Sequence, residues 1–389
     1  MYAKFFKAPT YSSLSQSWST FTNDRLFATD RIVSYEYTER LTKIGTFTMV
    51  LPFDKALLSK LEINGTIYYD GCWLWVQGIS YDGKSITLTG TDMKGLLGTR
   101  VSLYSDEPQF AGTQGYDVVE GNASVCLAHY IQDNCVRPFD SNRLLPFVRY
   151  SVSDFVGHDG EGPRMTTSYM ARLEFLSDIA DKLCDSAAEG YRVFGNLTGY
   201  GFKVMTFQGV DRSHTQNERP RVIFAVSRRN IKSIQCEHSV SDLYNAVYAI
   251  DSNEVVIPVY RDMQSSGGGS VTLDTYLKRR ECSVTVSGTT YDDDFYKAYA
   301  MREVESNTET HSFTIEAAVS SGYGTAYQIG DYVTILDDYT GNMEKSRITE
   351  VTKSYAAGQQ NITLVFGTPK QKPLQKIVNG FLSGTLKRR

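Results

Sequence analysis

The sequence lacks the cysteine spacing, the long apolar run and the charge excess that would each place it in a specialised class of protein. Its six cysteines include no C-x-x-C pair, which argues against a zinc framework, and a chain of 389 residues needs no disulfide staples. No apolar run approaches the roughly 20 residues that cross a bilayer, and the first residues hold no stretch apolar enough for a signal peptide. A formal net charge of −4 argues against binding to nucleic acid or to a membrane by bulk charge. We therefore expect a soluble protein with reduced cysteines, assembled in a reducing cytoplasm.

Motifs for catalysis and metal binding are also missing. No G-x-S-x-G sequence presents a nucleophile, and the five histidines form no H-E-x-x-H or H-x-x-x-H pair. His158 lies beside Asp159 in a glycine-rich stretch that supplies no third ligand. Asp292–Asp294 lacks the spaced ligands of a calcium loop and is more typical of a helix N-terminus, and Gly267–Gly269 lacks the Gly-Lys of a phosphate cradle. We therefore expect no catalytic site, no metal and no cofactor.

Proline is scarce as well, with 10 residues against 26 tyrosines and 19 phenylalanines. Aromatic side chains favour strands, because a ring packs well on a pleated surface while a tyrosine hydroxyl can stay hydrated. At roughly 150 residues per domain, the length suggests two or three domains. We therefore expect a β-rich α+β protein of several domains.

Residues 1–102 have the pattern of a small, half-open β-barrel. Thr46–Leu51 alternates apolar and polar side chains, as a half-buried strand does. Asp54 and Asp92 are each placed to cap a short helix. Asp70-Gly71 lies between two strand-like runs and is typical of a type I′ hairpin turn. We interpret this part as a β-barrel domain with a helix packed against it.

Residues 103–235 change character and are interpreted as a mixed α+β domain inserted beside the barrel. The spacing of apolar residues predicts one helix from about Ser124 to Asn134 and a stronger one from about Ser168 to Ala188. Leu173 is the first residue of the second apolar stripe. Strands are predicted at Tyr191–Phe194, Gly201–Phe207 and Arg221–Val226.

Residues 236–368 return to a strand pattern and are interpreted as a second β-barrel domain. A helix is predicted there from about Asp293 to Asn307, and Ser265–Ser270 is interpreted as a flexible loop tip. Further strands are predicted around Phe313 and Ile315, at Tyr332–Leu336 and at Ile362–Phe366. Residues 369–389 form a basic tail.

Two groups of side chains are candidates for contacts between subunits. Trp73 and Trp75 lie on the same face of a predicted strand, so that face needs a partner in the barrel or in a neighbouring subunit. The tail combines positive charge with an apolar stripe that would be exposed unless another subunit covered it. The tail candidates are Ile377, Val378, Phe381, Leu382, Lys387, Arg388 and Arg389.

Two sets of short segments carry a resemblance to a known family. They are Gly45–Phe47 leading to Leu51-Pro52, Trp75–Ile79, Leu88–Leu97 and Arg100 at the front, and Gly330–Val333, Arg347–Val351 and Ile362–Gly367 at the back. In this order and spacing they resemble the hub proteins at the tail tip of bacteriophages, which include the central baseplate hub and the siphovirus tail-associated proteins. The matching segments cover about half of the chain.

The resemblance implies a structural role in the virion, at the tip of the tail. In that family, two tube-type β-barrels in one chain mimic two subunits of a hexameric tail ring. Three chains then form a pseudo-hexamer that adapts the sixfold tail to a threefold tip. The partners implied are two further copies of the chain, the distal tail or tail-tube ring protein, the C-terminus of the tape-measure protein and other tail-tip or fibre proteins. DNA would pass through the lumen, and assembly would take place in the cytoplasm of the bacterial host.

Two other functions stay open at this point. A tail-associated cell-wall hydrolase would need a pair of acids, for which Asp159 and Glu161 are the candidates. A receptor-binding tip protein would use the tyrosine-rich composition to contact the host surface.

Overall fold

The structure is a computed structural model of the chain. It describes residues 2–7, 11–12, 17–18, 25–103, 117–145, 148–149, 166–195, 202–241, 243–250, 256–260, 279–285, 310–317, 322–339 and 341–367. The helices are α1 (Lys55–Leu58), α2 (Ala123–Ile131) and α3 (Leu176–Ser186), with 3₁₀ turns at Met93–Thr99 and Ser141–Arg143 and a π turn at Gln132–Val136. Within the described ranges, none of these helices has the length and apolar character needed to cross a membrane.

Strands account for most of the regular structure. In chain order the first fifteen are β1 (Ala3–Phe6), β2 (Tyr11–Ser12), β3 (Ser17–Trp18), β4 (Arg25–Thr29), β5 (Ser34–Arg40), β6 (Thr46–Pro52), β7 (Thr66–Tyr69), β8 (Cys72–Tyr81), β9 (Ser85–Asp92), β10 (Asp117–Asn122), β11 (Val148–Arg149), β12 (Thr166–Ala171), β13 (Gly190–Gly195), β14 (Phe202–Phe207) and β15 (Ile223–Phe224). The remainder are β16 (Ile231–Ser239), β17 (Ala246–Ile250), β18 (Val256–Tyr260), β19 (Glu281–Thr285), β20 (Thr310–Ala317), β21 (Tyr332–Leu336), β22 (Met343–Ala356) and β23 (Gln359–Gly367).

One continuous sheet joins the beginning of the chain to its last strands. It has 13 strands and follows the path β16-β20-β23-β22-β5-β6-β9-β8-β7-β1-β4, with β21 and β15 branching from β22. Neighbours along this path are antiparallel. The strands of residues 1–102 and those near the C-terminal end of the described chain therefore share a single hydrogen-bonded surface.

The local signals in the first hundred residues correspond to the elements that form. In β6, Phe47, Met49 and Leu51 are buried, because alternate side chains of a strand point to the same face. Asp70 and Gly71 join β7 to β8 with φ angles of 50° and 80°, as the expected type I′ turn requires.

The two barrels expected from the sequence are not confirmed, since the described residues contain no closed barrel. The front strands do curl. The ring of Tyr35 on β5 lies 4.7 Å from that of Tyr69 on β7, although three strands separate them in the sheet. Within the described ranges no ladder joins β5 to β7, because β5 pairs with β22 instead. The curled sheet therefore continues into the second set of strands.

The middle of the chain packs its helices on the front strands. The apolar faces of α2 and α3 share one core with Trp73, Met93 and Leu97. Small sheets flank this core: β10 pairs with β12, and β11, β14 and β13 form a three-stranded sheet. The α+β character expected for this segment is present.

The longer helix predicted in this segment was placed too early. Thr166–Ala171 is the strand β12, and α3 begins at Leu176. Leu173 has a φ of 54°, a conformation that a helix cannot continue through, and its side chain is 62% exposed. The apolar spacing was correct for Leu176, Ala180 and Leu183, which are buried. Pairing of Thr166–Ala171 with β10 outweighed the helical pattern.

Several predicted features lie outside the described residues. They are the helix at 293–307, the loop tip at 265–270, the acidic run at 292–294, the residues His158, Asp159 and Glu161, and the whole tail at 369–389.

Candidate assembly interface

The junction between β5 and β22 is the place where the two ends of the chain meet. Seven residue pairs form its antiparallel ladder, from Arg40 opposite Glu350 to Ser34 opposite Ala356. The pairs are more than 300 residues apart in sequence. The chain thus contains one edge-to-edge sheet contact between two sets of strands.

Two side-chain pairs on one face of the sheet reinforce this ladder. The Arg40 Nε donates to Glu350 Oε1 at 3.1 Å, and the hydroxyls of Thr38 and Thr352 lie 2.9 Å apart. Partly buried cross-strand pairs of this kind fix the register as well as adding stability.

A mostly buried carboxylate links the junction to the middle of the chain. Glu39 on β5 accepts from Arg192 Nε on β13 at 3.0 Å and from the Tyr323 hydroxyl at 3.0 Å. Burial alone would raise the pKa of Glu39, but the charges of Arg192 and Lys94 and the Tyr323 hydrogen bond bring the pKa below its usual value. Glu39 is therefore ionised and holds three separate segments of the chain.

A buried lysine fixes the turn between β5 and β6. Lys94 donates to the carbonyl oxygens of Arg40 and, at 3.0 Å, of Lys43, and its Nζ lies 4.8 Å from the centre of the Tyr191 ring. Burial lowers the pKa of Lys94, although the nearby charges of Asp92 and Glu39 oppose the shift. Lys94 lies within the segment Leu88–Leu97 that carries the family resemblance, and the sequence predicts no role for it.

The sheet contains the same arrangement of strands twice. We call β5-β6-β9-β8 the front unit and β16-β20-β23-β22 the back unit. In the front unit β5 pairs with β6, and β8 forms a hairpin with β9. In the back unit β16 pairs with β20, and β22 forms a hairpin with β23. A shorter strand precedes each hairpin. That shorter strand, β7 or β21, pairs with the first half of the long strand, β8 or β22.

The two units also agree in their backbone details. Both long strands have a bulge against their hairpin partner, at Gln77 in β8 and at Thr349 in β22. Asn64 and Gly330 take the same place before the short strand, both with positive φ, and donate to Val76 and Ile348 respectively. The two units are therefore structural repeats, and the bulges mark equivalent positions in them.

The two units pair with each other only through their inner edges, β5 of the front unit and β22 of the back unit. In the described part of the chain, β16 pairs only with β20, and Gly78–Tyr81 of β8 pairs only with β9. Strand edges are common sites of association between chains, because their N–H and C=O groups can pair with a further strand.

Side chains at these two outer edges are less buried than their counterparts at the inner junction. On the back unit, Ile234 is half-buried and Cys236 is exposed, whereas the equivalent Tyr35 and Tyr37 of the front unit are buried. On β8, Ile79 is half-buried, whereas its counterpart Val351 is fully buried. Tyr81, one of the last residues before the turn, is 63% exposed. Side chains at the two outer edges are therefore more exposed than their counterparts at the junction of β5 and β22.

The two tryptophans proposed as interface residues lie near these strands but face the core. Trp73 is 6% exposed, its Nε1 donates to Gly195 O at 3.1 Å, and its ring lies 5.6 Å from that of Phe202. Trp75 is half-buried against the same core. Trp73 thus finds a partner within its own chain, and a role of either tryptophan between subunits stays a prediction.

No metal-binding cluster is found in the described ranges. No group of three or more histidine, cysteine, aspartate or glutamate side chains there could hold a metal ion. His129 lies between two carboxylates, 3.0 Å from Asp117 and 3.4 Å from Asp133, an arrangement that ties α2 to β10.

Comparison with known proteins gives a family match over most of the chain. A protein-family model described as "Siphovirus ReqiPepy6 Gp37-like protein" matches residues 22–368. Among curated protein sequences no significant match is found.

Two of the solved structures that align with this chain are prophage tail proteins. The prophage MuSo2 43 kDa tail protein from Shewanella oneidensis aligns with a TM-score of 0.50 and 12% identity, over 95% of this chain and 99% of that one. Prophage tail protein gp18 from Listeria monocytogenes EGD-e aligns with a TM-score of 0.47 and 10% identity, over 98% of each chain. At this level of identity, the MuSo2 likeness is one of fold.

Proposed function

The chain belongs to the family of Siphovirus ReqiPepy6 Gp37-like proteins, which makes it a phage tail protein, and we propose that three copies of it form a ring-shaped hub at the distal end of the tail tube. In this role the protein is a structural component of the virion and has no enzymatic activity. It adapts a sixfold tail to a threefold tip.

The observation that carries the proposal is the doubled unit in the sheet. One chain presents two equivalent four-stranded units side by side, joined edge to edge by β5 and β22. Three such chains supply six units, the number that a sixfold tail ring requires at its end. Each unit contributes four antiparallel strands to the surface that lines the ring.

The proposed ring has partners on its axis and at both of its ends. Its lumen passes DNA and the C-terminus of the tape-measure protein, its upper face meets the distal tail or tail-tube ring protein, and its lower face meets other tail-tip or fibre proteins. The tail from Ile377 to Arg389 contacts a neighbouring tip protein through its apolar stripe and basic end. The two β parts, at 1–102 and 236–368, are the tube-type domains of the ring, and 103–235 is the insertion on its outside.

The mass of the purified protein in solution tests the proposal. Light scattering over a range of protein concentrations is expected to show a species of three times 43.6 kDa. A stable dimer would contradict the proposal, because a twofold axis does not fit the axis of a tail.

A further inference from the structure

We propose that the ring meets the sixfold tail tube through the end of the sheet that carries the turns Asp82–Lys84 and Ala357-Gly358. We call this edge of the sheet the hairpin end and the opposite edge the far end. The inference rests on the proposed trimer and assigns one of its two ends to a partner. That partner is the ring-forming protein of the tail tube.

Both units turn back at the hairpin end. The long strand of each unit, β8 or β22, reaches this end and returns as β9 or β23. In the front turn, the Asp82 carboxylate accepts from the backbone N–H groups of Lys84 and Ser85 at 3.0 and 2.8 Å. In the back turn, Ala357 and Gly358 have φ angles of 50° and 81°, as in a type I′ turn. Each turn therefore has a defined backbone conformation.

The two turns lie along one edge of the shared sheet. A row of cross-strand pairs runs from Ala356 through Ser34, Val50 and Thr87 to Ser80. The back turn begins directly after Ala356, and the front turn begins two residues after Ser80. Three chains thus present six turns at the same end of a ring.

The hairpin end is open to solvent in the described part of the chain. Residues Tyr81–Lys84 and Ala356–Gln360 are exposed. An added Cβ at Gly83 or at Gly358 would lie more than 4 Å from its described surroundings. Both turns are therefore accessible to a partner that approaches along the strands.

Exposed apolar side chains accompany the front turn. Tyr81 is 63% exposed, and its ring lies 6.0 Å from that of Phe53. Phe53 donates its backbone N–H to Lys84 O in the turn. Val33, which is also exposed, donates to Val50 O at the start of β5. Aromatic side chains are enriched at the centres of protein interfaces, so this cluster supplies anchors for a protein contact.

The far end differs between the two units. In the front unit, residues 41–45 join β5 to β6, whereas in the back unit residues 240–309 join β16 to β20. Leu41 and Thr42 are buried, and Leu41 O accepts from the backbone N–H of Tyr191 on β13. The middle part of the chain thus covers the far end of the front unit. A partner at the far end would meet two unlike surfaces on each chain.

This difference assigns the two ends to partners of different symmetry. A sixfold ring presents the same surface six times and therefore needs a site that occurs twice in each of three chains. Of the two ends of the described sheet, the hairpin end has this repeat. The last strand ends at Gly367 at the far end, so the segment Ile377–Arg389 follows from the end left for threefold tip proteins.

Co-sedimentation with tail tubes purified from the same phage tests the assignment. The intact protein is expected to pellet with the tubes. Tyr81→Ser combined with Phe53→Ser is expected to weaken this binding at least about tenfold, because aromatic anchors carry much of the binding free energy of an interface. Ala356→Trp places a bulky side chain beside the back turn and is expected to weaken binding as well.

The matched control is Tyr339→Ser. Tyr339 is 90% exposed and lies between β21 and β22, at the opposite end of β22 from Ala356. This variant is expected to bind tubes as the unchanged protein does. All substituted side chains are exposed, and circular dichroism checks that each variant folds.

Three results would overturn the assignment while the trimer stands. They are a trimer that does not pellet with tubes, a loss from Tyr339→Ser as large as that from the Tyr81 and Phe53 changes, and a loss from the front-turn variant with none from Ala356→Trp. The last result would mean that only three of the six turns make contact. If light scattering shows no trimer, the proposed function itself has failed.

Discussion

Single buried charges hold the separate segments of this tail protein together. Glu39 receives hydrogen bonds from Arg192 and Tyr323, which come from two other regions of the chain. Lys94 is buried beneath the turn that follows β5 and donates to main-chain carbonyl oxygens there. A buried ion pair gives modest net stability when complete but is costly to break, because one charge is left without its partner. These residues therefore control how the segments sit against one another.

Replacing Arg192 by alanine is expected to lower the free energy of unfolding by about 3 kcal/mol, because the mostly buried Glu39 loses the positive charge that is hydrogen-bonded to it. Urea denaturation followed by tryptophan fluorescence measures the change. The control is Lys232→Ala, which removes a pair with Glu316 whose side chains are 52% and 39% exposed. That change is expected to cost less than about 1 kcal/mol. Equal losses from the two variants would contradict the role given to Glu39.

Asp178 on α3 makes the free energy of unfolding depend on pH. Burial raises its pKa to about 6, with Lys182 opposing the shift. An acid whose pKa is raised in the folded state favours folding at low pH, so its contribution is lost as the pH rises through 4 to 6. Asp178→Asn is therefore expected to stabilise the protein at pH 8 by about 2 kcal/mol and to change little at pH 4.

Thermal or urea unfolding at the two pH values checks this expectation. The control is Asp82→Asn, because Asp82 is exposed and hydrogen bonds from the backbone of Ser85 and Lys84 lower its pKa. That variant should show no gain at pH 8. A gain from Asp178→Asn that is the same at pH 4 and pH 8 would contradict the assignment.

At the scale of elements, the bulged long strands define the repeat. Gly90 of β9, opposite the residue before the bulge, lies so close to β8 that an added Cβ would lie 1.9 Å from Trp75 O and 2.8 Å from Phe47 Cε1. In the back unit the equivalent position is Phe366, which is buried in the core. The two units thus share one arrangement of strands, with a glycine at this position in the front unit and a phenylalanine in the back unit.

Gly90→Ala is expected to destabilise the protein by about 3 kcal/mol, since neither the Trp75 carbonyl nor the Phe47 ring can move away without breaking the ladder. The matched change is Gly83→Ala, where the φ is 79° but the space is open. It is expected to cost only about 1 kcal/mol of backbone strain. Chemical denaturation of both variants measures the difference, and a loss at position 90 no larger than that at position 83 would show that the close approach is not rigid.

Elements with local signals could be predicted from the sequence, and those decided by distant partners could not. The turn at Asp70-Gly71 and the cap at Asp54 depend on residues next to them, and both form as expected. The early start predicted for the second helix was wrong, because Thr166–Ala171 pairs with β10 some 50 residues away. A local apolar pattern contains no information about such a pairing.

At the scale of the molecule, the family resemblance seen in the sequence is confirmed by the match over residues 22–368. The segments that carried it, Trp75–Ile79 and Arg347–Val351, occupy equivalent places around the two bulges. The joining of both units in one sheet could not be predicted, because β5 and β22 are separated by some 300 residues. Lys94 is recognisable in the sequence as a charged residue inside an apolar run, which needs partners when it is buried. Those partners could not be identified from the sequence.

The most direct test of the proposed trimeric hub is an image of the purified protein by electron microscopy. A trimeric hub predicts threefold particles in which three chains surround one opening, with six similar units around it and an antiparallel run of eight strands from each chain lining the lumen. Particles with twofold symmetry, or with a number of chains around the opening other than three, would contradict it.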